Sequence, residues 1–422
     1  MLYLIERGER NMDVSKYPRD KIGLLIKISR MEQGLERAEL SARTGINLSQ
    51  LFRIENGQSV LNNYEIDILF DELLIDKKHF SQKDSYLNMI FDQYVDNYIY
   101  GLKLDNEILM KQAYELESDY ECSINYYKWV CLKYFDGVIS RQNDDKFLSL
   151  ESIIVKVKGG FSPIEQQLCG IFLSLRKSRE YKYNEAISIL NSCLNSNDNK
   201  LLGIIYYYLF TNYTQNNEND LAYSFLTKAL DQFKLENNFI GITECICHFG
   251  VYSSRKGAYK LAESYFYEAI KLARILNKEN LMGISYYNLS WCKICEKKYD
   301  DVYPMAEKAM QYIDDGDLYF NIAFAYYKLR KSKDLIIEYI KKGKTRVNKK
   351  NILYEEFSYI EYALDHTKEE TVSYLYTMLH KVEKKANRDD CFLLFTELLD
   401  LLEELHRTEE VVIIQKSLME LS

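Results

Sequence analysis

The chain has 422 residues and a formal net charge of -8, which argues against broad, nonspecific binding of nucleic acid. With 3 Pro, 17 Gly and 47% hydrophobic residues, it is expected to be all-α and to bury a large core. It has no run of about 18 apolar residues that would span a membrane, and its nine scattered cysteines favour a reducing compartment, so we expect a cytoplasmic protein without a membrane partner.

The first segment, residues 1–15, is expected to be disordered. The sequence Gly-Glu-Arg-Asn at positions 8–11 can be back-translated into a purine-rich ribosome-binding site at a suitable distance before Met12. Met12 is therefore a candidate for the true start of the protein.

Residues 16–80 are predicted to form a helix-turn-helix domain of four or five short helices, at 20–33, 36–44, 48–55 and 63–74. Gly45 supplies the tight turn between the second and third helices. The small core around this turn is expected to contain Leu40, Ile46, Leu51 and Ile54. Between residues 16 and 53 there are eight basic and four acidic residues, whereas residues 55–76 contain six acidic and no basic ones. This asymmetry predicts a basic face that is oriented towards DNA.

This segment resembles the XRE-like, Cro-type helix-turn-helix family through Leu40-Ser41, 44–47 and 53–57. In that family the third helix enters the major groove of double-stranded DNA. The resemblance implies that bases are read by polar residues of this helix, namely Asn47, Ser49, Gln50 and Arg53. Gln50 suits adenine, and Arg53 suits guanine or a phosphate. Further phosphate-binding candidates are Lys27, Arg30 and Arg37.

Two residues of the third helix depart from the family pattern. Leu48 and Phe52 are apolar where polar or small residues are common, so one of them either touches a thymine methyl group or packs internally. The alternative for the whole domain is a helix-turn-helix that is kept only as a protein-binding module.

Residues 81–160 carry Tyr, Phe and Leu at helical spacing. They are expected to form a helical connector or divergent repeats, and the sequence leaves both possibilities open.

Residues 161–422 contain an internal repeat with a period of 40 residues in its clearest copies. Three copies have an apolar residue, then a small or branched residue thirteen positions later, then Ala after seven more. These residues are Leu209, Ala222 and Ala229 in one copy, Phe249, Ala262 and Ala269 in the next, and Leu289, Val302 and Ala309 in the third. The copy at 249–269 resembles a tetratricopeptide repeat, and degenerate copies surround Ala186 and Ile336. The resemblance implies helical hairpins that stack into a right-handed superhelix, and residues 352–422 are expected to add a hairpin and a cap.

The first helices of such repeats line a concave groove that suits an extended peptide. Amide and hydroxyl side chains would hold the peptide backbone, aromatic side chains would form pockets, and Arg255 or Lys328 would receive a carboxylate. The alternative is that many of these aromatic residues belong to the core. The candidates for a peptide-binding site are Tyr207, Thr211, Arg255, Tyr287, Asn288, Trp291, Asn321 and Lys328.

A helix-turn-helix of this type joined to tetratricopeptide repeats resembles the RRNPP family (Rap, Rgg, NprR, PlcR, PrgX), and most of all its NprR-like or RstA-like members. These are peptide-responsive regulators from Gram-positive bacteria. The resemblance implies a homodimeric transcription regulator in quorum sensing, which binds operator DNA and is controlled by a short signalling peptide. Rap-like members bind a response regulator instead. An interaction scaffold of that type, with or without DNA binding, is therefore the alternative, with residues 81–200 as its docking surface.

Enzymatic and cofactor functions are not expected. The chain has five His, no phosphate-cradling glycine loop, and no set of nucleophile, base and orienting group. Cys245, Cys247 and His248, with Cys292 and Cys295, superficially suggest zinc. Because residues two apart on a helix point to different faces, we expect no metal site there. We expect no catalytic residues either, since the chain lacks such a set of groups.

Overall fold

The computed structural model describes residues 16–196, 199–349, 351–382 and 388–421. Every regular element within these ranges is helical, which confirms the all-α prediction. The segment 1–15 that was expected to be disordered, with its candidate start at Met12, lies outside the described residues. The chain divides into two compact units between Ala229 and Leu230. The domain boundaries predicted after residues 80 and 160 both fall inside the first unit and remain a prediction.

The first unit contains the helix-turn-helix, the connector and the first repeats. Its helices are α1 (Arg19–Glu32), α2 (Arg37–Thr44), α3 (Leu48–Glu55), α4 (Asn63–Glu72), α5 (Asp84–Ile99), α6 (Lys103–Tyr114), α7 (Glu117–Tyr120), α8 (Tyr126–Ile139), α9 (Asp145–Val157), α10 (Pro163–Arg179), α11 (Tyr183–Cys193) and α12 (Leu202–Gln215). The division between the units falls inside the next helix, α13 (Asn219–Leu235).

The second unit continues as successive antiparallel helical hairpins. Its helices are α14 (Phe239–Arg255), α15 (Tyr259–Ile275), α16 (Glu279–Cys295), α17 (Val302–Met310), α18 (Gly316–Lys328), α19 (Lys333–Lys344), α20 (Ile352–Ala363), α21 (Lys368–Val382), α22 (Arg388–Glu404) and α23 (Thr408–Leu421).

Local signals in the sequence explain the short helices α2 to α4. Gly45 ends α2 in the left-handed conformation, at φ 71°, which a residue without a Cβ adopts at little cost. Asn47 then caps α3, since its side chain accepts a hydrogen bond from the Ser49 N–H, and Asn62 forms a capping box with Glu65 at the start of α4. The predicted helices 20–33, 36–44, 48–55 and 63–74 therefore match the observed ones to within two residues at each end.

Helix α1 is buried on two sides. Towards α3, a Cβ on Gly23 would lie 2.1 Å from the carbonyl oxygen of Ile54, so the two backbones are in direct contact. On its other side α1 packs against α8 and α9. Apolar residues are accordingly buried all round α1, including Ile22, Leu24, Leu25, Ile26 and Ile28.

The connector 81–160 is helical, as predicted, and its interior is aromatic. The rings of Phe135 in α8 and Phe172 in α10 stack with centroids 4.2 Å apart, and Trp129 and Tyr134 are fully buried nearby on α8. This packing joins the connector to the first helix of the α10–α11 hairpin.

Both units show the repeat that the sequence predicted. The small residues of the 40-residue period are buried: Ala222 and Ala229 in the first unit, and Ala262, Ala269, Val302 and Ala309 in the second. In the five hairpins from α10–α11 to α18–α19, one residue with positive φ occupies the turn: Tyr181 and Asn217 in the first unit, and Gly257, Lys297 and Arg330 in the second. The hairpins therefore follow the predicted spacing.

In the described part of the chain, no helix combines the length and the apolar character that crossing a lipid bilayer requires.

Candidate functional site

Helix α3 presents a polar edge to solvent. Leu51 and Ile54 anchor one side of this helix in the core of the helix-turn-helix. Because residues on the opposite side point outward, Asn47, Ser49 and Arg53 are exposed, as predicted for residues that read DNA bases. Among the described residues, the Arg53 guanidinium forms no ion pair, so its donors are open to a ligand.

Gln50 has a different role from the one predicted. Its Nε2 donates to Ser59 Oγ at 2.9 Å and to Glu65 Oε1 at 3.2 Å. These two bonds use both amide hydrogens and hold the half-buried side chain against the start of α4. A bidentate contact with adenine would require this amide to leave its partners, so the structure assigns Gln50 to the joint between α3 and α4.

A buried carboxylate organises the arginines of the domain. The Glu55 side chain is 0% exposed and accepts hydrogen bonds from two guanidinium groups. Arg30 Nε and Nη2 donate to it at 2.6 and 3.2 Å, and Arg37 Nε and Nη2 donate to its Oε2 at 3.0 and 2.8 Å. Arg30 Nη1 also donates to the Leu35 carbonyl oxygen, at 2.5 Å.

This cluster corrects the prediction that Arg30 binds a phosphate. Arg30 is buried and its donors are used inside the domain. Arg37 is also paired with Glu55, but its side chain is partly exposed and its guanidinium lies 5.1 Å from the centre of the Phe52 ring. Arg37 therefore remains at the surface beside α3, whereas Arg30 belongs to the core.

Lys27, another predicted phosphate contact, faces the connector. Its Nζ donates to the carbonyl oxygen of Lys156 in α9 at 3.2 Å. Desolvation in this half-buried position lowers the pKa of Lys27. The sequence could not reveal this role, because it depends on the packing of α9 against α1.

Leu48 and Phe52 lie on the exposed side of α3. They are 48% and 49% exposed, so neither packs internally. Together with Arg37, Ser49 and Arg53 they line an open depression. Their separation of four residues places both on one face of the helix.

In the first unit, two residues had been predicted to bind a peptide. Tyr207 is half-buried and its ring lies within 6.0 Å of the Tyr208 and Phe210 rings. Thr211 Oγ1 donates to the carbonyl oxygen of Tyr208, at 2.9 Å. The hydroxyl of Thr211 is thus satisfied within its own helix.

In the second unit, Asn321 is buried, which corrects its prediction as a groove residue, and Lys328 is partly exposed with its ammonium group in an ion pair. Asn321 is 1% exposed, and its Nδ2 donates to Ser290 Oγ at 2.9 Å. Lys328 Nζ donates to Glu397 Oε1 at 2.8 Å, and Glu397 Oε2 accepts a hydrogen bond from the Tyr359 hydroxyl at 2.9 Å. Burial raises the pKa of Glu397, although the Lys328 charge opposes this effect.

The remaining candidates of the second unit are accessible. Arg255 is exposed at the end of α14, and Tyr287, Asn288 and Trp291 are half-buried on α16. Asn288 Nδ2 donates to Cys247 Sγ at 3.5 Å, which leaves its side-chain oxygen and the second amide hydrogen to bind a ligand. These four residues are the part of the predicted peptide site that the structure leaves open to solvent.

No family model and no curated protein matches this sequence. Solved structures that are similar to it in fold include two of NprR and one of a Rap protein. The apo form of the quorum sensor NprR from B. thuringiensis has a TM-score of 0.58 at 18% identity, over 80% of this chain and 99% of that one. NprR in complex with its cognate peptide NprX has a TM-score of 0.55 at 19% identity, over 79% and 98%.

The third is a Rap protein complexed with Competence and Sporulation Factor, with a TM-score of 0.62 at 13% identity, over 80% of this chain and 98% of that one. The chain thus has the fold of NprR and Rap proteins, and the predicted resemblance to the RRNPP family is confirmed at the level of fold.

Proposed function

We propose that the chain is a transcription regulator of the RRNPP type, which binds operator DNA through α3 and responds to a short peptide bound by its repeats. The outward face of α3 carries this proposal. It combines the exposed polar residues Asn47 and Ser49 at the start of the helix with the exposed guanidinium of Arg53, which forms no ion pair with any residue that the structure describes. The first residues of a recognition helix are the ones that reach base edges in the major groove.

The charge of this face supports action as a homodimer. Arg30 and Arg37 form ion pairs with Glu55, and Arg43 forms ion pairs with Glu39 and Glu72. Few cations of this domain therefore remain to neutralise phosphates. One domain would therefore bind weakly, while two domains on a two-fold axis contact two half-sites and combine their binding energies.

The test is selection of duplexes from a random pool by the full-length protein, followed by affinity measurements on Arg53→Ala. Because a guanidinium that pairs with guanine contributes about 1–3 kcal/mol, we expect roughly a tenfold to hundredfold loss of affinity. Arg43→Ala is the matched control, since it removes the same charge from an exposed arginine that is paired with Glu39 and Glu72. Equal losses in the two variants would contradict a specific role for Arg53.

The peptide site is proposed on the second unit, at Arg255, Tyr287, Asn288 and Trp291. The complex of NprR, which has a similar fold, with its cognate peptide supports binding of a peptide by this chain, and the exposure of the four residues supports their choice as the site. Arg255 would receive a carboxylate of the peptide, Asn288 would accept a backbone N–H, and the rings of Tyr287 and Trp291 would contact apolar side chains. Control of DNA binding then requires that the peptide binds one of two conformations of the protein more tightly than the other. A nearly complete switch between them needs a difference in binding free energy of about 5.5 kcal/mol.

Tryptophan fluorescence can test this site because the chain contains only two Trp residues. Trp129 is fully buried in the first unit, and Trp291 is half-buried in the second. In a Trp129→Phe variant, synthetic peptides encoded by small reading frames beside the gene are expected to change the emission of Trp291. In the matched Trp291→Phe variant, the emission of Trp129 is expected to stay constant. The opposite pattern would place the peptide elsewhere.

The second candidate function is an interaction scaffold of Rap type that binds a response regulator. It is supported by the similarity in fold to a Rap protein and by the internal partners of Gln50, which leave few polar groups on α3 to read bases. Under this function, selection from a random pool returns no preferred duplex, and response regulators are retained by the immobilised full-length protein.

A further inference from the structure

Among the described residues, several hydrogen-bonding groups of α3 and its cap are bonded within the domain. Gln50 Nε2 donates hydrogen bonds to Ser59 and Glu65, and the Asn47 side-chain oxygen accepts one from the Ser49 N–H at 2.8 Å. The polar groups left for base edges are the Ser49 hydroxyl, the Asn47 amide nitrogen and the Arg53 guanidinium. Specificity for a DNA sequence therefore needs another source.

Leu48 and Phe52 are the two apolar side chains of the depression beside α3. Both are about half exposed, and both line the depression that Arg37 and Arg53 also line. Leu48 is the first residue of α3, and Phe52 follows one turn later on the same face. The major groove offers one apolar group for such side chains, the 5-methyl group of thymine.

The surrounding charges favour DNA over an apolar protein surface. The depression is lined by two guanidinium groups, and Glu55, the carboxylate that pairs with Arg37, is fully buried and also paired with Arg30. A phosphate backbone can therefore approach Leu48 and Phe52 without meeting an exposed negative charge from Glu55.

We infer that Leu48 and Phe52 form an apolar contact surface for the 5-methyl groups of thymines, and that these contacts set part of the sequence specificity. This inference rests on the proposed DNA-binding function. It requires thymines in each half-site at the positions that face the start of α3, with Arg53 contacting a neighbouring guanine or phosphate.

Replacement of thymine by deoxyuridine tests the inference, since it removes the methyl group and leaves the hydrogen-bonding edge of the base unchanged. Full-length protein first selects duplexes from a random pool, and each thymine of the selected sequence is then replaced in turn. Because burial of one methyl-sized group contributes about 0.8 kcal/mol, we expect roughly a fourfold loss of affinity at each contacted thymine.

The same substitutions are then measured with Leu48→Ala and Phe52→Ala. Each variant is expected to bind the thymine duplex more weakly than the wild type does. At one position, replacement of thymine by deoxyuridine should then cause no further loss of affinity, because the side chain that contacts the methyl group is absent. Arg53→Ala is expected to bind more weakly but to keep the deoxyuridine penalty at both positions. Since Leu48 and Phe52 are exposed, truncation leaves no cavity in the core.

The outcomes separate this inference from the proposed function. If no duplex is selected, both fail. If a duplex is selected but deoxyuridine has no effect, or if both alanine variants keep the full penalty, the protein binds DNA and the methyl contact is wrong. In that case, reduced binding of a protein partner by the same two variants would assign Leu48 and Phe52 to a protein interface.

Discussion

Replacement of Glu55 by alanine is expected to destabilise the helix-turn-helix by about 3–5 kcal/mol, because it leaves a buried cation without its counter-charge. Arg30 would keep only the Leu35 carbonyl oxygen as a partner, inside a core from which water is excluded. Arg37 would also lose its position beside α3, since its Nε and Nη2 both donate to Glu55. The same substitution should therefore abolish sequence-specific DNA binding.

Hydrogen exchange of the backbone amides of α1 to α3 measures this loss within the full-length protein. Protection is expected to fall more than about a hundredfold in Glu55→Ala. Glu39→Ala provides the control, since Glu39 is an exposed carboxylate paired with Arg43 and its removal should change protection little. If protection in Glu55→Ala stayed at the wild-type level, the cluster would contribute nothing to the stability of the domain.

The second large effect is expected in the second unit on replacing Lys328 by methionine. Glu397 is almost fully buried, and Lys328 is the cation that donates to it. Without that charge, Glu397 must remain ionised against a desolvation penalty or take up a proton. We expect a loss of about 3–5 kcal/mol at neutral pH.

The dependence of this loss on pH follows from the pKa of Glu397. Burial already raises that pKa, and removal of Lys328 raises it further. A carboxyl group whose pKa is higher in the folded state is most favourable when protonated, below its unfolded pKa, and it loses this stability as pH rises through the folded pKa. The deficit of Lys328→Met relative to the wild type should therefore shrink as the pH falls from neutral towards the ordinary range of a glutamic acid.

Hydrogen exchange of α18, α20 and α22 reports this deficit, since these helices carry Lys328, Tyr359 and Glu397. The double variant Lys328→Met with Glu397→Gln is the matched control. It replaces both charges, and the amide oxygen can still accept a hydrogen bond from Tyr359, so most of the protection should return. A double variant as unstable as Lys328→Met would show that packing of the lysine side chain, and not its charge, is responsible.

Features that depend on neighbouring residues were predictable from the sequence. Gly45 and the apolar residues Leu40, Leu51 and Ile54 have the spacing of two short crossed helices, and the structure has them there. The 40-residue period likewise predicted the buried small residues of the repeats. In each case the signal and its structural consequence lie within one or two helices.

Features that depend on distant partners were not predictable. Arg30 and Asn321 have the helical positions expected of ligand-binding residues, but each finds a partner on another helix, in Glu55 and in Ser290. Lys328 meets Glu397, 69 residues later. A polar residue on a helix is compatible with solvent or with a buried partner, and the choice depends on which helix packs against it.

The double burial of α1 has a consequence for dissecting the protein. Lys21 donates to the Tyr127 hydroxyl at 2.7 Å, and the Tyr126 hydroxyl donates to Glu32 at 2.7 Å, alongside the apolar contacts of Leu24 and Ile28. A fragment that stops near residue 80 would expose this surface to water and invite aggregation. The smallest well-behaved fragment for crystallisation or solution work therefore extends beyond α9, and the fold offers no natural cleavage point directly after its helix-turn-helix.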